Sequence, residues 1–191
     1  MKVPPGVVDT YGTLINGDVD YDVIAFLKTF DCKEGGRVLV AGCNQEKSPN
    51  MLAASGFEVI GFDVREYEQD MPPCNYRFIH GDFCKPSAQF KARYQGTFDA
   101  FVSLSAIEHF GLGTYGEDVY NTYYDVRAME LAYSMLKPGG KAYVTVPYGQ
   151  AFIQQEWHWR VYDKVTLMHR IVHKFGGAEL MFFTSAACEL D

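Results

Sequence analysis

Two acidic residues and one glycine have the spacing of a nucleoside-binding site. Gly42 follows an apolar run at 37–41, and Asp63 ends a second apolar run roughly 20 residues later. In such a strand-turn-helix-strand unit, the small residue lets a ligand approach the backbone and the carboxylate accepts hydrogen bonds from ribose hydroxyls. The spacing suits a nicotinamide dinucleotide and S-adenosylmethionine equally well.

Asp82 is the second carboxylate of the predicted site. It follows a third, short strand expected at 76–80, where it can accept a hydrogen bond from an adenine amino group while Phe83 packs nearby. Taken alone, a Gly-Asp pair is more often an Asx turn or a helix cap. Beside Asp63 the binding role is favoured, because the carboxyl ends of neighbouring parallel strands meet at one edge of a sheet.

Alternating extended and helical patterns predict an α/β fold with a mostly parallel sheet and helices on both faces. Strands are expected at 37–41, 58–62, 76–80, 98–104, 141–146 and 179–184, and helices at 20–30, 48–55, 123–136 and 164–175. Ser48 is the expected N-cap of the second helix, with Pro49 as its first residue. The Lys-Pro-Gly-Gly sequence at 137–140 is expected to separate the third helix from the fifth strand.

Composition limits the classes of protein that remain. The 191 residues favour one domain over 1–191, with 1–34 as an N-terminal helical extension. A net charge of −7 disfavours nucleic-acid binding. We expect no membrane span, because the apolar runs are too short, and no secretory signal, because the start has no apolar leader. The five cysteines are widely spaced, which is typical of reduced thiols, so a cytoplasmic protein is expected. The spacing of His, Cys, Asp and Glu predicts no metal site.

The longest motif covers 103–116 and reads Ser-Leu-Ser-Ala-Ile-Glu-His-Phe-Gly-Leu-Gly-Thr-Tyr-Gly. It resembles the motif after the fourth strand of class I S-adenosylmethionine-dependent methyltransferases. The likeness is greatest to a subgroup in which Ser-x-Ile-Glu-His precedes Gly-Leu-Gly-x-Tyr-Gly. It covers roughly 37–185 and includes further matches at 48–49, 61–63, 81–82, 136–140, 146–149 and 160–163.

The resemblance implies a Rossmann-like class I methyltransferase sheet, S-adenosylmethionine as cofactor and a small acceptor, with a hydroxyl of a sugar or another small metabolite expected. The implied cofactor-binding residues are Ala41, Gly42, Cys43 and Asn44 for the methionine part, Asp63 and Val64 for the ribose, Asp82 and Phe83 for the adenine, and Ser103, Leu104 and Ser105 beneath the sulfonium.

His109 is the candidate general base, since an imidazole with a pKa of about 6.5 suits proton removal near neutrality. Glu108 can orient His109 or contact the cofactor, and Tyr148 and Tyr115 are further candidates for the site. Equally, Glu108 and His109 can shape the loop by hydrogen bonds alone, because many methyl transfers need only alignment.

Two features depart from the family pattern. The glycine-rich turn has only its first glycine, Gly42, and Glu46 at its far end is expected to face water. The family's seven-stranded sheet ends in an antiparallel hairpin, whereas this sequence stops soon after the predicted sixth strand. The last strand is then missing or the protein is a truncated form, and another copy of the chain can cover the exposed edge as a homo-oligomer.

Other interpretations remain open at this point. Aromatic residues after the fifth strand, namely Phe152, Trp157, Trp159 and Tyr162, can cap an acceptor pocket or form a small satellite core. A nicotinamide-dependent oxidoreductase shares the spacing of Gly42 and Asp63 but lacks a full Gly-x-Gly-x-x-Gly turn. A non-catalytic S-adenosylmethionine-binding or scaffolding protein is a further alternative.

Overall fold

A computed structural model describes residues 20–44, 46–67, 74–116, 121–154 and 159–180. Its elements are, in chain order, α1 (Asp20–Thr29), β1 (Arg37–Ala41), α2 (Ser48–Ala54), β2 (Glu58–Asp63), β3 (Tyr76–His80), α3 (Ala88–Tyr94), β4 (Phe98–Leu104), a 3₁₀ turn (Ile107–His109), α4 (Tyr124–Met135), β5 (Leu136–Thr145), β6 (Phe152–Gln154), β7 (Trp159–Val161) and α5 (Lys164–Leu167), which continues as a π-helix (Met168–Val172).

Five parallel strands form the main sheet in the order β3-β2-β1-β4-β5. The predicted α/β fold with a mostly parallel sheet is therefore confirmed. The strand order reverses between β1 and β4, so the connections that leave these two strands diverge. Their carboxyl ends border a crevice, which is where open α/β sheets bind ligands.

Alternate residues of β1 enter two separate cores. Val38 and Val40 pack with α1 and α2, whereas Leu39 and Ala41 pack on the face covered by α3, α4 and α5. Because both faces are buried, the strand is apolar throughout, which is what made it recognisable in the sequence. The prediction of helices on both faces is confirmed.

Several element bounds differ from those predicted. Helix α2 begins at Ser48 itself, and Lys47 precedes it without a side-chain capping bond. Helix α3 was not predicted, because only Phe90 and Tyr94 of its seven residues are buried and so short a stripe gives little periodicity. Strand β5 begins at Leu136, and the Lys-Pro-Gly-Gly sequence forms an irregularity within its pairing to β4 rather than a break.

The carboxyl-terminal part also differs. An antiparallel hairpin pairs β6 with β7 in a region that the sequence left without secondary structure. The predicted helix over 164–175 is shorter and ends as a π-helix at Val172. Glu179 and Leu180 are not part of a strand, and the rest of the predicted sixth strand lies outside the described residues, as does the predicted extension over 1–19.

Strand β5 is the outer strand of the sheet within the part of the chain that is described. A groove of about 510 Å³ runs along it, bordered by Phe26 of α1, Ile171 beyond α5, and Leu180. The predicted contact with another copy of the chain at this edge remains a prediction. Over the described ranges, no helix combines the length and apolarity needed to cross a membrane.

A buried carboxylate joins the hairpin to helix α4. Asp125 of α4 is fully buried and accepts hydrogen bonds from the Tyr162 hydroxyl at 2.9 Å and from Arg170 Nε at 2.7 Å. Arg160 of β7 is also buried, with its Nε 3.7 Å from Asp125 Oδ2. Since Arg160 Nη1 donates to the backbone oxygen of Glu108 at 3.0 Å, this network also fixes the 3₁₀ turn after β4.

Asp125→Ala should lower the free energy of unfolding by about 3–5 kcal/mol, because it leaves the buried Arg160 without its carboxylate. Urea unfolding measures this loss. Tyr162→Phe, which removes one hydrogen bond, should cost about 1 kcal/mol and remains measurable if the alanine variant does not fold. Glu130→Ala on the same helix, whose exposed carboxylate pairs with Lys174, should change stability by less than about 0.5 kcal/mol. Equal losses for Asp125→Ala and Glu130→Ala would contradict this account.

Candidate functional site

A small cavity lies where β1, β2, β3 and β4 end. Six predicted cofactor-binding residues line it: Gly42, Asp63, Val64, Asp82, Phe83 and Ser105. Its other lining residues are Phe62, Arg65, Gly81, Ala106, Phe110, Gly111, Tyr115 and Tyr124. The structure therefore brings both predicted carboxylates and the turn glycine to one enclosed space, although its volume is only about 60 Å³.

Gly42 permits the close approach of two turns. It has a φ of 75°, and a Cβ atom added to it would lie 2.3 Å from the Cβ of Ala106, in the turn after β4. Its amide donates to the Phe62 oxygen at 2.8 Å, which ties the turn to β2. Only glycine combines this left-handed backbone with the absence of a side chain.

Asp63 has an exposure of only 5% and is surrounded by donors. The Asn44 amide donates to Oδ2 at 2.9 Å, and the Arg65 amide donates to Oδ1 at 2.9 Å. The Arg65 guanidinium adds bonds from Nε at 3.0 Å and Nη2 at 3.2 Å. The same guanidinium lies over the Tyr115 ring, 4.3 Å from its centroid. Arg65 was not singled out in the sequence analysis, because an arginine two residues after Asp63 belongs to none of the motifs.

Asp82 forms the turn that the sequence offered as one of its two roles. Its Oδ1 accepts a hydrogen bond from the Cys84 amide at 2.8 Å, which is the predicted Asx turn. Its Oδ2 is buried and accepts no hydrogen bond from the described residues, although Lys85 Nζ lies 3.4 Å away. One oxygen is thus available for a ligand donor in the cavity that Asp82 lines.

Five predicted cofactor-binding residues do not line the cavity: Ala41, Cys43, Asn44, Ser103 and Leu104. All five are buried. Asn44 acts on the site through its backbone amide, which donates to Asp63. The Cys43 thiol contacts the Phe62 oxygen at 3.4 Å, and burial raises its pKa, so it behaves as a packed and unreactive group.

Ser105 has an unusual backbone immediately after β4. Its φ is 43°, the only positive value at a non-glycine residue among those described. Its amide donates to Thr145 Oγ1 at 2.8 Å, and its hydroxyl donates to Asp22 of α1. Burial raises the pKa of Asp22. Asp22 was not recognised in the sequence, since it lies on a helix remote from every motif.

Glu108 and His109 lie in the 3₁₀ turn, beside the cavity but not in its lining. Glu108 has an exposure of 2%, and its pKa is raised to about 8. Burial is the largest cause, the charge of Asp22 adds to the rise, and the charge of Arg160 reduces it. Its Oε1 is 4.0 Å from His109 Nε2, and its Oε2 has no hydrogen-bond partner in the described ranges. The His109 ring is 5.5 Å from that of Tyr115, which does line the cavity.

The expectation that Glu46 faces water is wrong. Its exposure is 9%, and its carboxylate accepts hydrogen bonds from both the amide and the hydroxyl of Ser48. Burial raises its pKa to about 7. The Ser48 hydroxyl, which was expected to cap α2, therefore donates to the Glu46 carboxylate instead.

Tyr148 is not brought to the cavity. It follows β5, has an exposure of 49% and borders the groove along that strand. Of the aromatic residues near it, Tyr162 belongs to the core and Trp159 has an exposure of 37%, whereas Trp157 lies outside the described residues. Among the residues described, no group of three or more His, Cys, Asp and Glu residues is placed to hold a metal ion.

Comparison with known proteins gives a family and a fold. The family described as "Caenorhabditis protein of unknown function, DUF268" matches residues 80–182, which is more than half of the chain. No curated protein sequence matches significantly.

Solved structures show the fold. A chain in the complex between the Haloferax volcanii Trm112 methyltransferase activator and a protein proposed to be a methyltransferase has a TM-score of 0.60 and 16% identity, over 87% of this chain and 72% of that one. Haemonchus contortus phosphoethanolamine N-methyltransferase 2, in complex with S-adenosyl-L-methionine, has a TM-score of 0.55 and 18% identity, over 80% and 36%. Burkholderia thailandensis 1,6-didemethyltoxoflavin-N1-methyltransferase, with bound S-adenosylhomocysteine, has a TM-score of 0.54 and 14% identity, over 86% and 72%. The predicted Rossmann-like methyltransferase fold is thus confirmed.

Gly42→Ala should destabilise the protein by about 2–4 kcal/mol, since the new methyl group meets Ala106 and the left-handed backbone becomes strained. Urea unfolding measures the loss. Gly139→Ala is the matched control, because Gly139 has a φ of 78° but no atom within 4 Å of an added Cβ. Its cost should be about 1–2 kcal/mol, from backbone strain alone. A Gly42 variant no less stable than the Gly139 variant would show that the two turns do not meet.

Glu108→Gln should reduce the loss of stability that accompanies a rise in pH from 6 to 8.5. The folded pKa of about 8 lies above the 4.5 of an exposed glutamate, so across most of this range only the folded state holds the proton. Each pH unit up to about 8 then lowers stability by about 1.4 kcal/mol, a loss that the neutral amide avoids. Wild-type protein should lose about 2–3 kcal/mol more than the variant in urea unfolding. The exposed Glu34→Gln variant should follow the wild type, and parallel profiles for all three proteins would refute the assignment.

Proposed function

We propose that this chain, a member of the DUF268 family, transfers a methyl group from S-adenosylmethionine to a small acceptor. The acceptor atom is a hydroxyl of a sugar or of another small metabolite. The observation that supports this most is the convergence of Asp63 and Asp82 on one cavity beside Gly42. Two carboxylates at the ends of neighbouring strands suit the hydroxyl and amino donors of an adenosine.

The residues at the cavity fit the adenosyl group in chemistry. Asp63 would hold the ribose hydroxyls, and the open Oδ2 of Asp82 would accept a hydrogen bond from the adenine amino group. The cavity of about 60 Å³ is smaller than the several hundred Å³ typical of ligand sites. Arg65 and Tyr115, which lie across it, would have to move for the adenosyl group to enter.

When bound, S-adenosylmethionine supplies a methyl carbon on a positively charged sulfur, which is already a good leaving group. The chain's task is alignment of the acceptor, which contributes up to about 7–11 kcal/mol in well-oriented systems. For a hydroxyl acceptor, His109 would receive the proton, a contribution of roughly 10²–10⁴-fold. Glu108, 4.0 Å from His109, would hold the ring in position.

A second candidate function is binding of S-adenosylmethionine without turnover. It is favoured by one observation: the turn after β1 retains only the first glycine of the family pattern. A nicotinamide dinucleotide is the less favoured ligand, because the turn lacks the remaining glycines of a dinucleotide fingerprint.

Asp63→Asn and Asp82→Asn should each weaken binding of S-adenosylhomocysteine about tenfold, and the double variant should abolish detectable binding, since each change removes a charged hydrogen-bond acceptor. Isothermal titration calorimetry measures these affinities. Asp31→Asn, which removes an exposed carboxylate paired with Lys141, should bind as the wild type does. Heat from NAD but not from S-adenosylhomocysteine would overturn the proposal.

Turnover is tested separately, by release of S-adenosylhomocysteine from S-adenosylmethionine in the presence of small hydroxylated acceptors. His109→Asn should reduce the rate about 10²-fold or more while leaving cofactor affinity unchanged. Binding without release under any acceptor would favour the second candidate function.

A further inference from the structure

We infer that Arg65 is an internal competitor for the nucleoside: its guanidinium occupies the Asp63 carboxylate and must leave before a ribose can bind there. The inference rests on the proposed function, because it takes the ligand to be an adenosyl compound. It adds a determinant of affinity outside the predicted motif residues, in a side chain that opposes binding.

The guanidinium satisfies Asp63 in the way that a vicinal diol would. Its Nε and Nη2 donate to the two different carboxylate oxygens, at 3.0 and 3.2 Å. A ribose offers two neighbouring hydroxyl donors to the same pair of oxygens. Arginine and ribose therefore require the same acceptors and cannot both be bound in this geometry.

Burial makes the internal pair strong in the absence of a ligand. The side chain of Asp63 is 3% exposed and that of Arg65 is 25% exposed. A buried carboxylate is costly unless it is paired and hydrogen-bonded. Without the guanidinium, Asp63 would still accept hydrogen bonds from the backbone amides of Asn44 and Arg65. It would lose the positive charge that Arg65 places beside it.

Arg65 also borders the cavity. Its guanidinium lies 4.3 Å from the centre of the Tyr115 ring, and both residues line the cavity of about 60 Å³. Withdrawal of Arg65 would free the Asp63 carboxylate and one face of the aromatic ring together.

Such a competitor weakens ligand binding, because only the fraction of protein in which Arg65 has left Asp63 can bind the ribose. The apparent dissociation constant equals the intrinsic constant divided by that fraction, so removal of the competitor tightens binding. A residue that contacted the ligand favourably would have the opposite effect. The sign of the change in affinity therefore decides between these roles.

The experiment is calorimetric titration of S-adenosylhomocysteine into wild-type protein and into Arg65→Gln, with thermal unfolding recorded for both. The variant should bind about tenfold more tightly. Without ligand its melting temperature should be lower than that of the wild type, and saturating ligand should raise it by more. Arg65→Lys, which offers a single point charge to Asp63, should show an intermediate affinity.

Arg37→Gln is the matched control, because Arg37 pairs with Glu58 at 2.8 Å at the opposite ends of β1 and β2. It should bind the ligand with wild-type affinity. Equal or weaker binding by Arg65→Gln, when the wild type binds, would overturn the inference and leave the proposed function intact. Absence of binding by both proteins would overturn the proposed function and, with it, the inference.

Discussion

The buried carboxylate of Asp63 is the constraint on which the arrangement of the site depends. A charge with so little exposure needs donors on both oxygens. The fold supplies one from the turn after β1, through the Asn44 amide, and the others come from Arg65. Together with the bond from the Gly42 amide to Phe62, this joins the ends of β1 and β2 at two successive points. The requirement to neutralise one side chain thus determines the path of the turn.

The two sides of the crevice are supported in different ways. The Asp63 side is part of the parallel ladder, so β1 and β2 fix it directly. The turn after β4 has no neighbouring strand beyond its start, and its position depends on contact of Ala106 with Gly42 and on the bond from Arg160 to the Glu108 oxygen. Arg160 is itself held near the buried Asp125. The place of Glu108 in the site is therefore set by a helix and a hairpin that follow it in the chain.

Most of the fold could be predicted from the pattern of apolar residues. Strands β1, β3 and β4 have the bounds predicted for them. For β1 and β4 the reason is that a strand covered on both faces is a short apolar run between turn residues. Helix α3 and the hairpin of β6 and β7 were missed, because few of their residues are buried or alternate clearly. The π-helical end beyond α5 has no sequence signature that separates it from an ordinary helix.

The site was predictable where a residue's place in the chain determines its place in the fold. Asp63 and Asp82 immediately follow or end strands, so their positions at the sheet edge could be derived from spacing. Asp22 acts through a contact with Ser105 that only the folded chain creates, whereas Arg65 is a neighbour of Asp63 in the sequence but belongs to no motif. Glu46 was misassigned because its burial depends on packing of the turn over α2, which spacing does not reveal.

Several features at the carboxyl ends of the strands oppose stability, and this is the physical argument for proposing a functional site there. Asp63 is a buried charge, Ser105 has a left-handed backbone, and Glu108 is buried with its pKa raised to about 8. A chain constrained only to fold would place apolar residues and relaxed turns at these positions. At the opposite edge, by contrast, Arg37 and Glu58 form an ordinary, partly exposed ion pair. Strained and buried polar groups persist where the surrounding structure holds them for another purpose, and here they gather around one cavity.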